Sequence, residues 1–208
     1  MSELNDKDIN IEKFAGKAIK NEKILSKLLS GILNKVETIR YNSYNILHYI
    51  SDKYPEIIYS KFDFFVKMLE SSNTYHQNSA VDIIANLTFT DPEKKFEKIF
   101  EKYFDLFKIP KTIVPAKLAR NSGKIANAKP ELQNKITDKL LNIDELHHGK
   151  QIELIKSYVI ESFDEYFENI ENKEDILNFV KIQINSNSPK TRKTAQKFLK
   201  KWEKITDF

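Results

Sequence analysis

Residues 91–107 read DPEKKFEKIFEKYFDLF, and the class of the fold can be inferred from this segment. Proline is favoured at the start of a helix, where its missing N–H costs nothing, and the Glu beside it suits the helix dipole. The apolar residues that follow recur every three or four positions, which is the period of an α-helix. These residues are Phe96, Ile99, Phe100, Tyr103, Phe104 and Phe107. The stretch therefore predicts a helix over 92–107 that is buried on a wide face.

The same Pro-Glu opening recurs along the chain as a repeat. It stands at Pro55 and Pro130 as well as at Pro92, so the prolines lie 37 and 38 residues apart. A period of this length is typical of stacked helical repeats. Each first helix is followed by a polar break and then by a second apolar helix. The repeat unit is therefore helix, short turn, helix.

The second helices share a finer pattern, in which a small residue is followed by apolar residues at +3, +4 and +7. The clearest examples begin at Ser43, Ala80 and Ala195. A small residue at the first place lets two helices approach closely, so this pattern predicts tight packing between neighbouring repeats.

Two arginines connect this pattern to a known family. Arg40 and Arg192 each stand three residues before the small residue, as in the second helix of HEAT repeats. Gln77 and Gln151 occupy the corresponding position in the second and fourth repeats. Over about residues 22–205 the chain resembles the HEAT-repeat family of armadillo-like α-solenoids. In that family this arginine hydrogen-bonds within or between repeats, so the resemblance implies structural roles for both arginines.

From these patterns we expect an all-α fold, an α-solenoid or superhelix of about five HEAT-like helix pairs. An N-terminal capping helix is predicted over about 8–20. A single domain over 1–208 is expected, because no segment is long enough to be a linker. The helix pairs are predicted at 22–33 with 37–53, 55–70 with 74–89, 92–107 with 112–127, 130–141 with about 148–166, and 173–184 with 189–205.

Composition excludes several classes of function. The chain has no Cys, which rules out disulfides, thiolate nucleophiles and Cys-ligated metals. Its four glycines are isolated, so no glycine-rich phosphate loop exists, and Gly31 and Gly123 inside predicted helices indicate close helix packing. The polar opening lacks a signal-peptide pattern, and no apolar run approaches the ~20 residues of a membrane span. We therefore expect a soluble, cytoplasmic protein.

The ionisable residues do not form a recognisable catalytic or metal site. His147 and His148 are adjacent, so a helix would point them about 100° apart, and the simplest interpretation is a solvated loop. The carboxylates of residues 144–175 lack the apolar surroundings that would shift a pKa. We therefore expect no catalytic residue, no metal and no cofactor.

Charge is segregated along the chain. Residues 106–130 hold six Lys or Arg and no acid, and residues 181–204 hold eight against one acid. Between them, residues 144–175 hold ten acids against three Lys. The two basic stretches contain the second helices of the third and fifth repeats.

Helical spacing places each set of cations on one face of its helix. The cations are Lys117, Arg120 and Lys124 in the third repeat and Lys193, Lys197, Lys200 and Lys204 in the fifth. The HEAT resemblance implies that second helices line a concave groove, so both stripes would face it. We predict a non-catalytic scaffold whose partly basic groove binds an acidic or amphipathic protein partner. For the last helix, a simple polar outer face at the end of the solenoid is an equal interpretation.

Nucleic-acid binding is the alternative function, because Lys and Arg along a groove can neutralise phosphates without reading bases. Some HEAT-like proteins are DNA glycosylases that require groove aromatics and a groove carboxylate. That activity is the least favoured here, because Trp202 falls on the packing stripe and the second helix of the third repeat has no acid.

Overall fold

The computed structural model describes residues 3–171 and 173–206, and for residues 203–206 only the backbone. Every regular element within these residues is an α-helix or a short 3₁₀ turn. The chain divides into two compact units, Met1–Lys98 and Ile99–Phe208. The predicted all-α class is confirmed, while the single domain over 1–208 stays a prediction.

The first unit holds the lead helix and two helix pairs. Its helices are α1 (Ile11–Ile19), α2 (Glu22–Gly31), α3 (Glu37–Lys53), α4 (Pro55–Tyr59), α5 (Phe62–Leu69) and α6 (Thr74–Leu87). Helix α2 packs on α3 and α5 packs on α6, while α3 also packs on α6. Helix α1 lies against both α2 and α3, as expected for a helix that caps the first pair.

The first helix of the second repeat is broken, although the sequence predicts one helix over 55–70. Pro55 does open a helix, α4, but the N–H of Lys61 donates to the Ile58 carbonyl at 2.8 Å. This is a bond to the third preceding residue, typical of a tight 3₁₀ turn, and α5 begins directly after it. The prediction of a continuous helix was therefore wrong at residues 60 and 61.

Pro92 does not open a helix. Helix α7 (Lys95–Phe104) begins three residues later, after a turn in which Lys94 has a positive φ of 50°. The Asp91 carboxylate causes the shift, because it accepts the N–H of Lys95 at 2.8 Å and that of Phe96 at 3.0 Å. It also accepts the Tyr59 hydroxyl at 2.6 Å. A side-chain cap thus replaces the predicted start of the helix at proline.

The second unit stacks its second helices side by side. After α7, its helices are α8 (Ile113–Ala128), α9 (Gln133–Leu141), α10 (Ile143–Leu146), α11 (Ile152–Tyr166), α12 (Lys173–Gln183) and α13 (Pro189–Thr206). Helix α11 packs against both α8 and α13, α9 packs on α8, and α12 packs on α13. Pro130 opens a 3₁₀ turn that precedes α9, and the short helix α10 was not predicted.

Close helix packing explains both helix-interior glycines that the sequence singled out. A Cβ on Gly123 would lie 2.7 Å from the backbone oxygen of Ser162, and a Cβ on Gly31 would collide with the Ser43 hydroxyl. The Ser162 hydroxyl also enters α8, since it accepts the Gly123 N–H at 2.7 Å and donates to the Ala119 carbonyl at 2.6 Å. In a regular helix the Gly123 N–H would donate directly to the Ala119 carbonyl, so the Ser162 hydroxyl is inserted into a backbone hydrogen bond of α8. Helices α8 and α11 are therefore locked together.

His147 is buried, whereas the sequence interpretation placed it in a solvated loop. Only 2% of its surface is exposed, and its Nδ1 lies 2.9 Å from the Phe107 carbonyl oxygen. The loop folds back on the turn after α7, where a buried carbonyl requires a donor. His148 is exposed, as predicted.

Candidate binding surface

Helices α8, α11 and α13 run in the same direction and form one continuous surface within the second unit. Gly123 and Asn127 of α8 bond to Ser162 and Glu165 of α11, so residue numbers rise together in both helices. Helix α13 runs in the same direction as α11, because Thr191 donates to the Glu153 carbonyl and Trp202, further along α13, donates to Asp164. We call this surface the α8–α11–α13 face.

The predicted cations of α8 lie at one edge of this face. Arg120 is exposed, and its guanidinium carbon lies 4.4 Å from the centre of the Tyr158 ring on α11. Lys117 and Lys124 are half-buried. Lys124 lies near Glu165, where partial desolvation raises the pKa of the carboxyl group against the opposing pull of the ammonium. The stripe is thus held against α11.

Three of the predicted cations of α13 are exposed: Lys193, Lys197 and Lys200. They lie opposite the buried side chains of Ala195, Phe198, Leu199 and Trp202. Within the described part of the chain, no carboxylate lies at ion-pair distance from Lys193, Lys197 or Lys200. Lys197 borders a small cavity of about 120 Å³ together with acidic residues of α11. The side chain of Lys204 lies outside the described residues.

Helix α11 places aromatic and acidic side chains between the two basic stripes. Tyr158 is flanked by two cations, because the Lys190 ammonium lies 3.7 Å from its ring centre on the α13 side. Lys190 also pairs with Glu161 at 2.9 Å, and Lys201 pairs with Asp164 at 2.7 Å. Charges that are segregated along the sequence therefore alternate in space as basic, acidic and basic bands.

Sequence reasoning missed the contribution of α11 to this face. It described the acids of residues 144–175 only as carboxylates without apolar surroundings and did not place Tyr158 on a binding surface. Tyr158, Glu161 and Glu165 follow the spacing of the α8 cations, with intervals of three and then four residues. That shared spacing is the signal that could have identified the α11 band.

The two arginines of the HEAT-like pattern have structural roles, as predicted. Arg40 donates to the carbonyl of Asn34 at 3.1 Å, and Arg192 donates to that of Ser186 at 2.7 Å. Each therefore closes the turn that precedes its own helix. Gln77 performs a related task in the second repeat, because its amide donates to the Leu69 carbonyl at 3.2 Å.

The described residues contain no cluster of three or more His, Asp or Glu side chains placed to hold a metal ion. None of the helices in the described part of the chain combines the length and apolarity needed to cross a bilayer.

Comparison with known proteins finds a likeness among solved structures only. No family model matches the chain, and no curated protein matches it. Among solved structures, a designed armadillo repeat protein, YIII(Dq)4CqI, aligns over 96% of both chains with 15% sequence identity and a TM-score of 0.47. The description of this chain as an all-helical repeat protein rests on its own helices.

Proposed function

We propose that the protein is a non-catalytic scaffold and that its α8–α11–α13 face binds an acidic, amphipathic segment of another protein. The observation that carries this proposal is Tyr158, an aromatic ring held between Arg120 and Lys190 in the middle of the face. Aromatic and Arg side chains at the centre of a surface are typical anchors of protein partners.

The exposed lysines of α13 supply the attraction for carboxylates. Lys193, Lys197 and Lys200 stand free of carboxylates within the described side chains, so they can pair with acids of a partner. Exposed charges at the border of an interface mainly increase the association rate and select partners by charge. An amphipathic segment would place an apolar group on the exposed part of the half-buried Tyr158 ring, between its two flanking cations, and acids towards α13.

The acidic band argues against a nucleic acid as the partner. Glu161 and Asp164 lie between the two basic stripes, so a phosphate backbone that crosses the face would approach carboxylates. A protein segment can present side chains of either charge and so match alternating bands. We therefore favour the protein partner and treat nucleic-acid binding as an outcome of the test.

We also propose that the repeats are of the HEAT type and that the protein works in the cytoplasm. The HEAT assignment is supported by Arg40 and Arg192, which occupy corresponding places and make corresponding hydrogen bonds. The absence of cysteine suits a reducing compartment.

The test compares labelled probes by fluorescence anisotropy. The probes are a short amphipathic peptide of Glu and Leu, a peptide with the same composition in scrambled order, and single- and double-stranded DNA and RNA. The α13 variant carries Lys193, Lys197 and Lys200→Glu. Its control carries Lys20, Lys23 and Lys27→Glu, which makes the same charge change at exposed positions of the first unit.

The amphipathic peptide is expected to bind the wild type and the control, and to bind the α13 variant about tenfold more weakly. Binding of the nucleic acids with a log affinity that falls against log salt with a slope of about −4, between about 50 and 200 mM, would replace the proposal by phosphate recognition. Equal binding of the amphipathic and scrambled peptides would also contradict it.

A further inference from the structure

The first unit carries a different site, on the face that α3 and α6 share. Asp82 of α6 is a carboxylate with only 5% of its surface exposed. It accepts a hydrogen bond from the Tyr44 hydroxyl of α3, and its Oδ2 lies 4.0 Å from Nε2 of His48. The rings of Tyr44 and His48 lie 5.7 Å apart, and both side chains lie beside the acid.

Tyr44 is the donor in its hydrogen bond with Asp82. Burial, and next the Asp82 carboxylate, raise the pKa of Tyr44. Tyr44 therefore keeps its proton and donates it to Oδ2 of Asp82. Tyr44 is half-buried, so the side chain that donates to Asp82 lies partly at the surface.

One turn earlier on α6, Asn78 adds a second acceptor. Its Oδ1 is buried without a hydrogen-bond partner among the described residues. Asn78 stands four residues before Asp82, so both side chains lie on the same face of the helix. Buried polar atoms are nearly always paired in native proteins, and no described group donates to this oxygen, so it can accept a donor from a partner.

Tyr75 lies on the same face of α6, three residues before Asn78, and borders these two acceptors. Its ring is exposed, and the guanidinium carbon of Arg40 lies 4.7 Å from the ring centre. The protein's own arginine shows that this aromatic surface accepts a guanidinium group.

We propose that the α3–α6 site, defined as Tyr44, Asn78 and Asp82, binds an arginine side chain of a partner protein. A guanidinium group is planar and carries five N–H donors, so it can donate to a carboxylate and to an amide oxygen while its flat face lies on a tyrosine ring. An ammonium group has no such face. The proposal uses only the first unit and is independent of the α8–α11–α13 face.

The probe is a tripeptide with one arginine between glycines and with both termini blocked. The same peptide with citrulline, a neutral isostere, or with lysine serves as control. The full-length protein is titrated, and backbone and Asn78 side-chain amide signals are followed by ¹⁵N NMR. We expect saturable shifts in α3 and α6 with a Kd on the order of 1 mM for arginine, severalfold weaker binding of lysine and none of citrulline.

Variants separate binding from folding. Asp82→Asn is expected to weaken arginine binding at least about tenfold, whereas Glu56→Gln, which removes one exposed negative charge from the same unit, leaves it unchanged. If Asp82→Asn does not fold, Asn78→Ala is the second test, and it is expected to weaken arginine binding about threefold or more. Tyr44→Phe keeps the ring but removes the hydroxyl that competes for Asp82, so it should bind arginine at least as tightly as the wild type.

Equal shifts with arginine and citrulline, or unchanged binding by folded Asp82→Asn, would overturn the proposal. The α13 variant must retain arginine binding. Loss of the arginine peptide in that variant would place the guanidinium elsewhere and would also overturn it. Failure at this site leaves the test of the α8–α11–α13 face unaffected, because its probes and variants are different.

Discussion

Two helix-interior glycines should respond to alanine in opposite directions. A Cβ on Gly123 would lie 2.7 Å from the backbone oxygen of Ser162 and 3.0 Å from its Cα, so α8 and α11 would have to move apart. Gly16 in α1 is exposed, and a Cβ there meets nothing within 4 Å. Both positions are helical, so both substitutions gain the same helix propensity.

The expected magnitudes follow from these contacts. Alanine is favoured over glycine in a helix by about 1 kcal/mol, while overpacking against a fixed backbone costs about 1–3 kcal/mol. Gly123→Ala should therefore lower the free energy of unfolding by about 1–2 kcal/mol net, since it also disturbs the Ser162 hydrogen bonds. Gly16→Ala should raise it by about 0.5–1 kcal/mol.

Urea denaturation, followed by circular dichroism and by the fluorescence of Trp202, measures both effects. Trp202 is the only tryptophan and lies in the second unit, so it reports on the part of the chain that contains Gly123. The assigned close contact of α8 with α11 at Gly123 would be contradicted if Gly123→Ala is as stable as the wild type, or if Gly16→Ala is the less stable of the two variants.

Two further predictions concern polar groups. Asp91→Ala removes the cap of α7 and leaves the Tyr59 hydroxyl without its acceptor, so calorimetry should show a loss of about 2 kcal/mol, while an unchanged melting temperature would contradict the assigned cap. Burial acts to raise the pKa of Glu153, but hydrogen bonds from Lys156 and other groups outweigh it and lower that pKa. The stability that this carboxylate contributes is present above its ordinary value of 4.5 and is lost as pH falls through the lowered pKa. Between pH 6 and pH 3 the wild type should therefore lose more stability than Glu153→Gln, and parallel pH profiles of urea midpoints would refute this.

The helices were predictable where local pattern decides them. The second helix of the first repeat was predicted over 37–53 and runs from Glu37 to Lys53, because apolar periodicity and its flanking turns agree there. At Pro92 the prediction failed, because the Asp91 carboxylate accepts the N–H groups of Lys95 and Phe96, and the helix begins at Lys95 instead. Proline identity alone does not reveal which neighbouring side chain will cap a helix.

The candidate surface was predictable only in part. Helical spacing alone showed that Lys193, Lys197 and Lys200 would be exposed together. The position of Glu161 beside Lys190 depends on how α11 packs on α13, and charge counts along a sequence contain no such information. His147 shows the same limit, because its burial depends on a carbonyl 40 residues away in the chain.

The most direct test of the proposed function uses Trp202, which is buried against Asp164 of α11, as a reporter for the α8–α11–α13 face. Its indole N–H donates to Asp164 at 2.6 Å, beside the Lys201 ammonium, so a segment bound across the face should alter its emission. We predict that the amphipathic acidic peptide changes Trp202 fluorescence saturably in the wild type, and that this response is lost in the α13 variant at the same peptide concentration. A saturable response of equal size in both proteins, or no response at low salt, would contradict the assignment of this face as the partner-binding surface.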